Sequence, residues 1–305
     1  MDATKHILIK EVGPRDGLQN EKKMISTEDK IQWINTLSQT GLSYIEITSF
    51  VNPKWIPQLS DALEVAKGIT KKDGITYAAL VPNMKGLETA LMADLDEVSV
   101  FMSASETHNL KNINKSIEDT FPILKEVITN AIHNNISVRG YVSTVFGCPY
   151  EGDVSLDTVI KVCDELFQYG VNEISLGDTI GIANPKQVEH VLSELMKRYD
   201  SSKLALHFHD TRGMALANIL QALEMGFTTF DASLGGLGGC PYAPGASGNV
   251  ATDDLVYMLH KMGYTTGINQ LKLLESAECI QSKIGTVLGS HQMKIWNARS
   301  LNPYR

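Results

Sequence analysis

Short apolar segments rich in β-branched residues alternate along this chain with longer segments whose apolar residues recur at helical spacing. Strands of a parallel sheet are buried on both faces and appear in sequence as short apolar runs, whereas a helix packed on such a sheet shows an apolar stripe. The pattern predicts strands at His6–Val12, Tyr44–Phe50, Tyr77–Val81, Glu97–Met102, Val138–Val145, Glu173–Gly177, Leu204–His209 and Phe230–Leu234. It predicts helices at Thr27–Thr40, Gln58–Gly68, Lys85–Ala93, Ser116–Asn134, Leu156–Tyr169, Pro185–Arg198, Ala215–Met225 and Thr252–Met262.

Residues typical of helix ends mark several of these boundaries. Ser155 precedes one predicted helix, and Asn184 precedes another that begins with proline. Gly226 and Gly263 follow helix ends, where a left-handed residue commonly stops a helix. Successive strand–helix units favour a parallel sheet that closes into a (β/α)8, or TIM, barrel. The alternative is an open doubly wound sheet, but the first strand is not followed by the G-x-G-x-x-G of its dinucleotide-binding form.

The composition fits one barrel domain. The chain has 305 residues, of which 43% are hydrophobic and 20% charged, and α/β barrels of this length fold as a single domain. The barrel is predicted to take about residues 6–263. A helical extension over 264–305, including a helix at Gln270–Ile284, is predicted to follow it.

Charge and cysteine content limit the partners and the compartment. A net charge of −8 argues against a nucleic-acid partner, since such proteins present a basic surface. The chain shows neither an apolar run long enough to span a membrane nor a leader at Met1–Lys5, so we expect no membrane association and a cytoplasmic protein. Scattered thiols without a C-x-x-C pair suit a reducing compartment. These cysteines are Cys148, Cys163, Cys240 and Cys279.

Two histidines end the seventh predicted strand. His207 and His209 are two positions apart, so their side chains share one face and can chelate a single metal ion, or can make ordinary hydrogen bonds. In a barrel this strand end belongs to the mouth that carries the active site. Asp16, just beyond the first strand, is the predicted third ligand, and Asn249 can add an amide oxygen. Two nitrogens and two oxygens suit magnesium or manganese, with zinc as the alternative.

A guanidinium and two further carboxylates are predicted near the same mouth. Arg15 adjoins Asp16 and is either half of an ion pair or the group that holds a carboxylate or a developing enolate. Glu46 and Asp178 lie on predicted strands, where a buried carboxylate needs a partner. We expect each to be one partner of an ion pair. Glu46 can orient Arg15, and Asp178 can contact the metal ligands without binding the metal itself. Gln19, after the first strand, is a further supporting candidate.

Glycine and proline crowd the segment Gly235–Asn249, which is therefore predicted to be a loop. Long loops in compact domains are commonly functional. This one carries Cys240, and a thiol with an ordinary pKa of roughly 8.5 is within range for proton transfer near neutral pH. Cys240 is predicted to be a proton donor or a nucleophile, with a packing role as the alternative. Cys148, in a similar Gly-Cys-Pro context, is the weaker candidate.

Three of these segments are similar to the 3-hydroxy-3-methylglutaryl-CoA (HMG-CoA) lyases: Val12–Glu21, His207–Thr211 and Gly235–Asn249. The resemblance runs from the first strand through the eighth helix, and Gly236–Tyr242 is its most specific part. It implies a TIM barrel, a homodimer, an acyl-CoA substrate and metal-dependent cleavage of HMG-CoA to acetyl-CoA and acetoacetate. It also implies that magnesium or manganese is held by Asp16, His207, His209 and Asn249, that Arg15 lies near the thioester carbonyl, and that Cys240 is the catalytic loop cysteine.

Two other functions stay open at this point. A condensing synthase or a hydroxy-ketoacid aldolase of the same barrel group would share the metal residues but lack the cysteine loop. A barrel that serves only as a binding protein would be expected to lose ligand residues or the thiol. The general base is also open, between Asp16 and a group near His207.

Overall fold

The computed structural model of the chain describes residues 5–239 and 248–300. Cys240, predicted to be catalytic, lies outside the described residues. In the part of the chain that the structure describes, none of the helices is long and apolar enough to cross a membrane.

Parallel strands close into a barrel in sequence order, which confirms the predicted TIM barrel and excludes the open sheet. Each strand pairs with its successor, and β8 pairs with β1 to complete the closure. The strands are β1 (Leu8–Glu11), β2 (Tyr44–Ser49), β3 (Thr76–Leu80), β4 (Glu97–Ser103), β5 (Ser137–Ser143), β6 (Glu173–Asp178), β7 (Leu204–Phe208) and β8 (Thr229–Ala232).

Helices surround the barrel and extend beyond it. Those that follow the first four strands are α1 (Thr27–Leu37), α2 (Ala62–Gly68), α3 (Met84–Ala90), α4 (Glu106–Ile113) and α5 (Ile117–His133). The next four strands are followed by α6 (Leu156–Tyr169), α7 (Pro185–Met196), α8 (Ala215–Glu224) and α9 (Thr252–Lys261). The C-terminal extension contains α10 (Gln270–Ile284) and α11 (His291–Ser300). The domain limits themselves stay a prediction.

The sequence pattern misses α4 because the buried face of this helix is polar. His108 and Asn109 are its buried residues, and Asn109 receives a hydrogen bond from the backbone N–H of Ser103. An apolar stripe is the signal by which a helix is predicted, and α4 has none. The predicted helix at Gln58–Gly68 divides into a 3-10 turn at Pro57–Leu59 and α2.

The predicted helix ends are mostly where the capping residues place them. Asn184 accepts a hydrogen bond from the N–H of Gln187 at the start of α7. Gly226 and Gly263 have positive φ angles of 99° and 85°. Ser155 occupies the cap position of α6, but its side chain makes no capping hydrogen bond within the described residues.

The barrel lumen is polar, and the aliphatic core lies outside it, between strands and helices. Along β7, Leu206 and Phe208 point outward, and Phe208 packs on Phe146 with ring centroids 5.5 Å apart. Arg139 of β5 is fully buried, and its Nε donates to Glu173 of β6 at 2.7 Å. Along β5 and β7, alternation thus separates polar side chains inside the barrel from apolar side chains outside it.

We expect Gly41→Ala to destabilise the fold more than Gly74→Ala. Both glycines have positive φ, but a Cβ at Gly41 would lie 2.2 Å from the carbonyl oxygen of Gly267, whereas a Cβ at Gly74 meets nothing within 4 Å. The left-handed backbone costs each alanine about 1 kcal/mol, and the clash should bring the loss at Gly41 to about 3 kcal/mol. Urea denaturation measures both free energies of unfolding, and equal losses would contradict the close approach.

Candidate metal centre and active site

Three side chains of the kind that bind metals converge at the carboxyl-terminal mouth of the barrel. Asp16, His207 and His209 each offer one ligand atom, and these atoms all lie within 4.8 Å of one another. Asp16 Oδ2 lies 3.9 Å from His207 Nε2. The structure thus brings together the residues that the sequence nominates from two distant segments.

The backbone after β1 holds Asp16 in place. Val12 is followed by one turn of π-helix at Gly13–Gly17, and the N–H groups of Arg15 and Asp16 both point at the carbonyl oxygen of Val12, at 3.2 and 2.7 Å. Such turns are rare and occur frequently at functional sites. Gln19 follows this turn and is half-buried.

Asn249 joins the cluster from the segment that precedes α9. Its side-chain Nδ2 donates to Asp16 Oδ2 at 2.7 Å and to the carbonyl oxygen of Leu237 at 3.3 Å. Its backbone forms an isolated bridge with His209, which lies one residue beyond β7 rather than inside the strand. With the amide nitrogen engaged, the side-chain oxygen of Asn249 is the atom that can bind a cation.

The protonation states of the cluster suit a metal ion. Burial alone would raise the pKa of Asp16, but the Arg15 guanidinium and the two imidazoles hold it at about 2. Burial, reinforced by the His207 ring, lowers the pKa of His209 to about 4. The buried Nδ1 of His209 has no hydrogen-bond partner among the described residues. An ionised carboxylate and a neutral imidazole are forms that bind metals, so Asp16 and His209 fit a divalent cation.

Arg15 is held between two carboxylates. Its Nε donates to Glu46 Oε2 at 2.6 Å, and its Nη1 donates to Asp16 Oδ1 at 2.5 Å. The hydroxyl of Tyr141 also donates to Glu46 Oε2, at 3.1 Å, and the Arg15 guanidinium carbon lies 5.1 Å from the centre of the Tyr141 ring. Arg15 is only 6% exposed, so Glu46 and Tyr141 fix its position beside the cluster.

Asp178, a supporting candidate from the sequence, lies at the end of β6. Its carboxylate accepts hydrogen bonds from the N–H groups of Ile182 and Ala183, at 3.0 and 3.1 Å, and so closes the turn after β6. Burial raises the pKa of Asp178 to about 6. In the barrel register Asp178 pairs with Phe208, whose side chain leaves the face opposite to that of His207.

The carboxylate within hydrogen-bond distance of a histidine of the cluster is Asp231, which was not among the residues predicted from the sequence. Asp231 Oδ2 lies 3.1 Å from His207 Nδ1. Although burial alone would raise its pKa, the Arg139 guanidinium holds the pKa of Asp231 well below its usual range. A charged residue in the middle of the apolar segment Phe230–Leu234 was the available signal.

The other candidates remain apart from the cluster or undescribed. Cys240 is outside the described residues. Cys148 is buried after β5, where its sulfur lies 3.0 Å from the hydroxyl of Ser105. Cys163 is fully buried on α6, in keeping with a packing role.

Glu11 lies outside the lumen and connects the two loops that border the site. Its Oε1 accepts from the N–H groups of Gly13 and Leu234, at 2.8 and 2.9 Å. Its Oε2 accepts from the hydroxyl of Thr252 at 2.6 Å. Burial raises the pKa of Glu11 from 4.5 to about 7. One side chain thereby ties the segment after β1 to the segment after β8 and to α9.

We expect Glu11→Gln to change how stability depends on pH. The folded protein keeps a proton on Glu11 up to about pH 7, whereas the unfolded chain releases it near 4.5. The resulting stability is present below pH 4.5 and is lost as pH rises through 7, by about 3 kcal/mol. Gln keeps the shape of the protonated side chain and carries no such dependence. Urea denaturation of both proteins between pH 4 and about 8 measures the difference, and parallel curves would contradict the raised pKa.

Comparison with known proteins places these residues in context. The HMGL-like family model matches residues 6–280. The chain is 59% identical over 298 residues to the hydroxymethylglutaryl-CoA lyase YngG of Bacillus subtilis, covering 98% of this chain and 100% of that protein. It is 54% identical over 276 residues to the human mitochondrial hydroxymethylglutaryl-CoA lyase, covering 90% of this chain and 85% of that protein.

Solved structures show the same similarity. The crystal structure of the B. subtilis HMG-CoA lyase aligns with a TM-score of 0.96 at 60% identity, covering 97% of this chain and 100% of that one. An HMG-CoA lyase from Acinetobacter baumannii, solved in complex with coenzyme A and 3-methylmalate, aligns with a TM-score of 0.91 at 42% identity. That alignment covers 95% of this chain and 94% of the other.

Proposed function

Because this chain belongs to the HMGL-like family, we propose that it is a hydroxymethylglutaryl-CoA lyase, which cleaves HMG-CoA to acetyl-CoA and acetoacetate. The observation that carries the proposal is the convergence of Asp16, His207 and His209, with Arg15 beside them, at one mouth of the barrel. A relative at 59% identity is named for this activity, and one related structure holds coenzyme A.

The donor set supports a divalent cation, magnesium or manganese, held by Asp16, His207, His209 and Asn249. When bound, the cation supplies Lewis-acid polarisation of the tertiary hydroxyl and a neighbouring carbonyl oxygen of the substrate. Asp16 and a group near His207 are the candidates for the base that removes the hydroxyl proton. Loss of that proton lets the bond between C2 and C3 break, with C3 becoming the ketone of acetoacetate.

Arg15 is proposed to stabilise the charge that develops when this bond breaks. The electron pair of the bond moves to C2 and onto the thioester oxygen, giving the enolate of acetyl-CoA. Within the described residues Arg15 donates hydrogen bonds from Nε and Nη1, which leaves Nη2 to donate to that oxygen. Glu46 and Asp16 fix the guanidinium beforehand, so little reorganisation is needed during the reaction.

Cys240 is proposed to deliver or relay the proton that C2 needs to become a methyl group. The described ends of its segment support this role. The carbonyl oxygen of Gly239 accepts from Asn20 Nδ2 at 3.4 Å, and the N–H of Gly248 donates to Gly238 at 3.0 Å. Both ends thus lie at the mouth, with Gly248 next to Asn249 in the chain.

We further propose that the protein acts on an acyl-CoA as a homodimer in the cytoplasm. The bound coenzyme A of the A. baumannii relative supports the substrate class. The free thiols Cys148, Cys163 and Cys279 suit a reducing compartment. Relatives carry both cytoplasmic and mitochondrial names, and the dimer rests on the resemblance to the lyases.

The direct test is conversion of HMG-CoA by the purified protein in the presence of manganese or magnesium. We expect equal amounts of acetoacetate and acetyl-CoA, loss of the reaction after chelation with EDTA, and recovery when metal is restored. His207→Ala, tested in parallel, should remain inactive after metal is restored. Metal-independent cleavage would contradict the metal site. Condensation of acetyl-CoA with a keto acid, without cleavage of HMG-CoA, would favour a synthase instead.

Arg15→Met should separate the catalytic role of the site from its metal binding. We expect turnover to fall by about 10²–10³-fold, the cost of losing one preorganised donor to a developing oxyanion. Manganese binding should persist, because Arg15 is not a ligand. Arg198→Met is the matched control, since Arg198 is exposed and pairs with Asp164 at 2.7 Å. Near-normal turnover of Arg15→Met would remove Arg15 from the reaction.

A further inference from the structure

A buried carboxylate on β8 has no place in the reaction described above. Asp231 is 2% exposed and lies opposite His207 in the register of β7 and β8, so both side chains project into the lumen. Its Oδ2 lies 3.1 Å from His207 Nδ1. Burying a carboxylate without partners is costly, so the partners of Asp231 indicate what it does.

The contact with His207 decides which ring nitrogen carries the hydrogen. An ionised carboxylate only accepts hydrogen bonds, so Nδ1 of His207 must donate to Asp231. The lone pair of the neutral ring is then on Nε2, the atom 3.9 Å from Asp16 Oδ2. Asp231 thus turns the free nitrogen of His207 toward the proposed cation site.

Asp231 is itself held from two other strands. Arg139 of β5 donates from Nη2 to Oδ1 at 2.7 Å and from Nη1 to Oδ2 at 3.3 Å. Ser175 of β6 donates from its hydroxyl to Oδ2 at 2.7 Å. The carboxylate therefore cannot rotate without breaking several buried hydrogen bonds, and this rigidity passes to the His207 ring.

The second histidine lacks such support. The buried Nδ1 of His209 has no hydrogen-bond partner among the described residues. His207 is therefore the ligand whose ring is set before any cation arrives, whereas the ring of His209 is placed by packing and by the backbone bridge to Asn249.

From this asymmetry we propose that Asp231 is a positioning residue for the metal centre, which fixes the tautomer and ring orientation of His207 through a hydrogen bond anchored by Arg139 and Ser175. The inference rests on the proposed cation site. Partners that orient a metal-binding histidine typically contribute 10–100-fold to metal affinity, so Asp231 should influence binding of the cation before any chemistry.

The test compares manganese affinity in Asp231→Asn, Ser175→Ala and Glu173→Gln with that of the unmodified full-length protein, by electron paramagnetic resonance titration. In Asp231→Asn a single amide oxygen must serve donors that two carboxylate oxygens now serve, so we expect the Kd to rise by about 10–100-fold. Ser175→Ala removes one anchor of Asp231 and should raise the Kd less. Glu173→Gln is the matched control, because Glu173 also pairs with Arg139, at 2.7 Å, whereas its other ion-pair partner is Lys10 and not His207.

A second measurement does not depend on affinity. In the metal-free full-length protein with ¹⁵N-labelled histidine, NMR should show His207 with its proton on Nδ1, and Asp231→Asn should show this population reduced. Thermal denaturation of all variants shows whether stability losses are matched. Equal loss of affinity in Asp231→Asn and Glu173→Gln would overturn the inference about Asp231 but not the proposed cation site. Unchanged affinity and tautomer in Asp231→Asn would do the same. Absence of manganese binding in the unmodified protein would overturn the proposed cation site and the inference together.

Discussion

A circuit of buried charges inside the barrel holds the candidate site together. From Arg15 to His207 each member is a hydrogen-bond or ion-pair partner of the next. His207 Nε2 then lies 3.9 Å from Asp16 Oδ2, and Asp16 closes the circuit by pairing with Arg15 at 2.5 Å. The circuit runs through Arg15, Glu46, Tyr141, Arg139, Asp231, His207 and Asp16. Because these groups are shielded from water, each depends on its neighbours for compensation of its charge. The geometry of the mouth is therefore set in the lumen and not by the loops alone.

The energetics of such a circuit explain why the lumen fixes the geometry of the site while another part of the fold supplies its stability. Replacing a buried ion pair by apolar residues is often neutral, but removing one partner costs roughly 3–5 kcal/mol because it strands the other. The lumen thus adds little net stability while strongly penalising rearrangement, and stability comes from the aliphatic layer outside the strands. Carboxylates also outnumber cationic side chains among the described lumen residues, an imbalance that a divalent cation offsets. These residues are Asp16, Glu46, Glu97, Glu173 and Asp231 against Lys10, Arg15 and Arg139.

The sequence predicts the barrel and the two candidate ligand histidines, because both depend on local order along the chain. Alternating strands and helices give the closure, and the spacing of His207 and His209 gives their shared face. The sequence pattern does not show which residues of neighbouring strands are paired. Asp178 and Asp231 are both carboxylates on strands near the mouth, yet Asp231 pairs with His207 and Asp178 pairs with Phe208. Since side chains alternate between faces, that single offset decides which carboxylate meets the histidine.

The bracing role of Glu11 was hidden for a related reason. Its partners are separated from it by as many as 241 residues, and two of them are backbone N–H groups that leave no mark in a sequence.

The contacts of Glu11 matter for function at the mouth of the barrel. Glu11 fixes where the segment after β8 begins, at Leu234, and Asn249 fixes where it returns, against Asp16. Cys240 is carried between these two anchors, so the chain that bears the proposed proton donor is attached at both ends to the elements that present Asp16 and Arg15. Charge pairing fixes the lumen, and the contacts of Leu234 and Asn249 fix the described ends of the segment that carries Cys240. The two arrangements meet at Asp16, so the proposed metal site and the proposed proton donor would be coupled there.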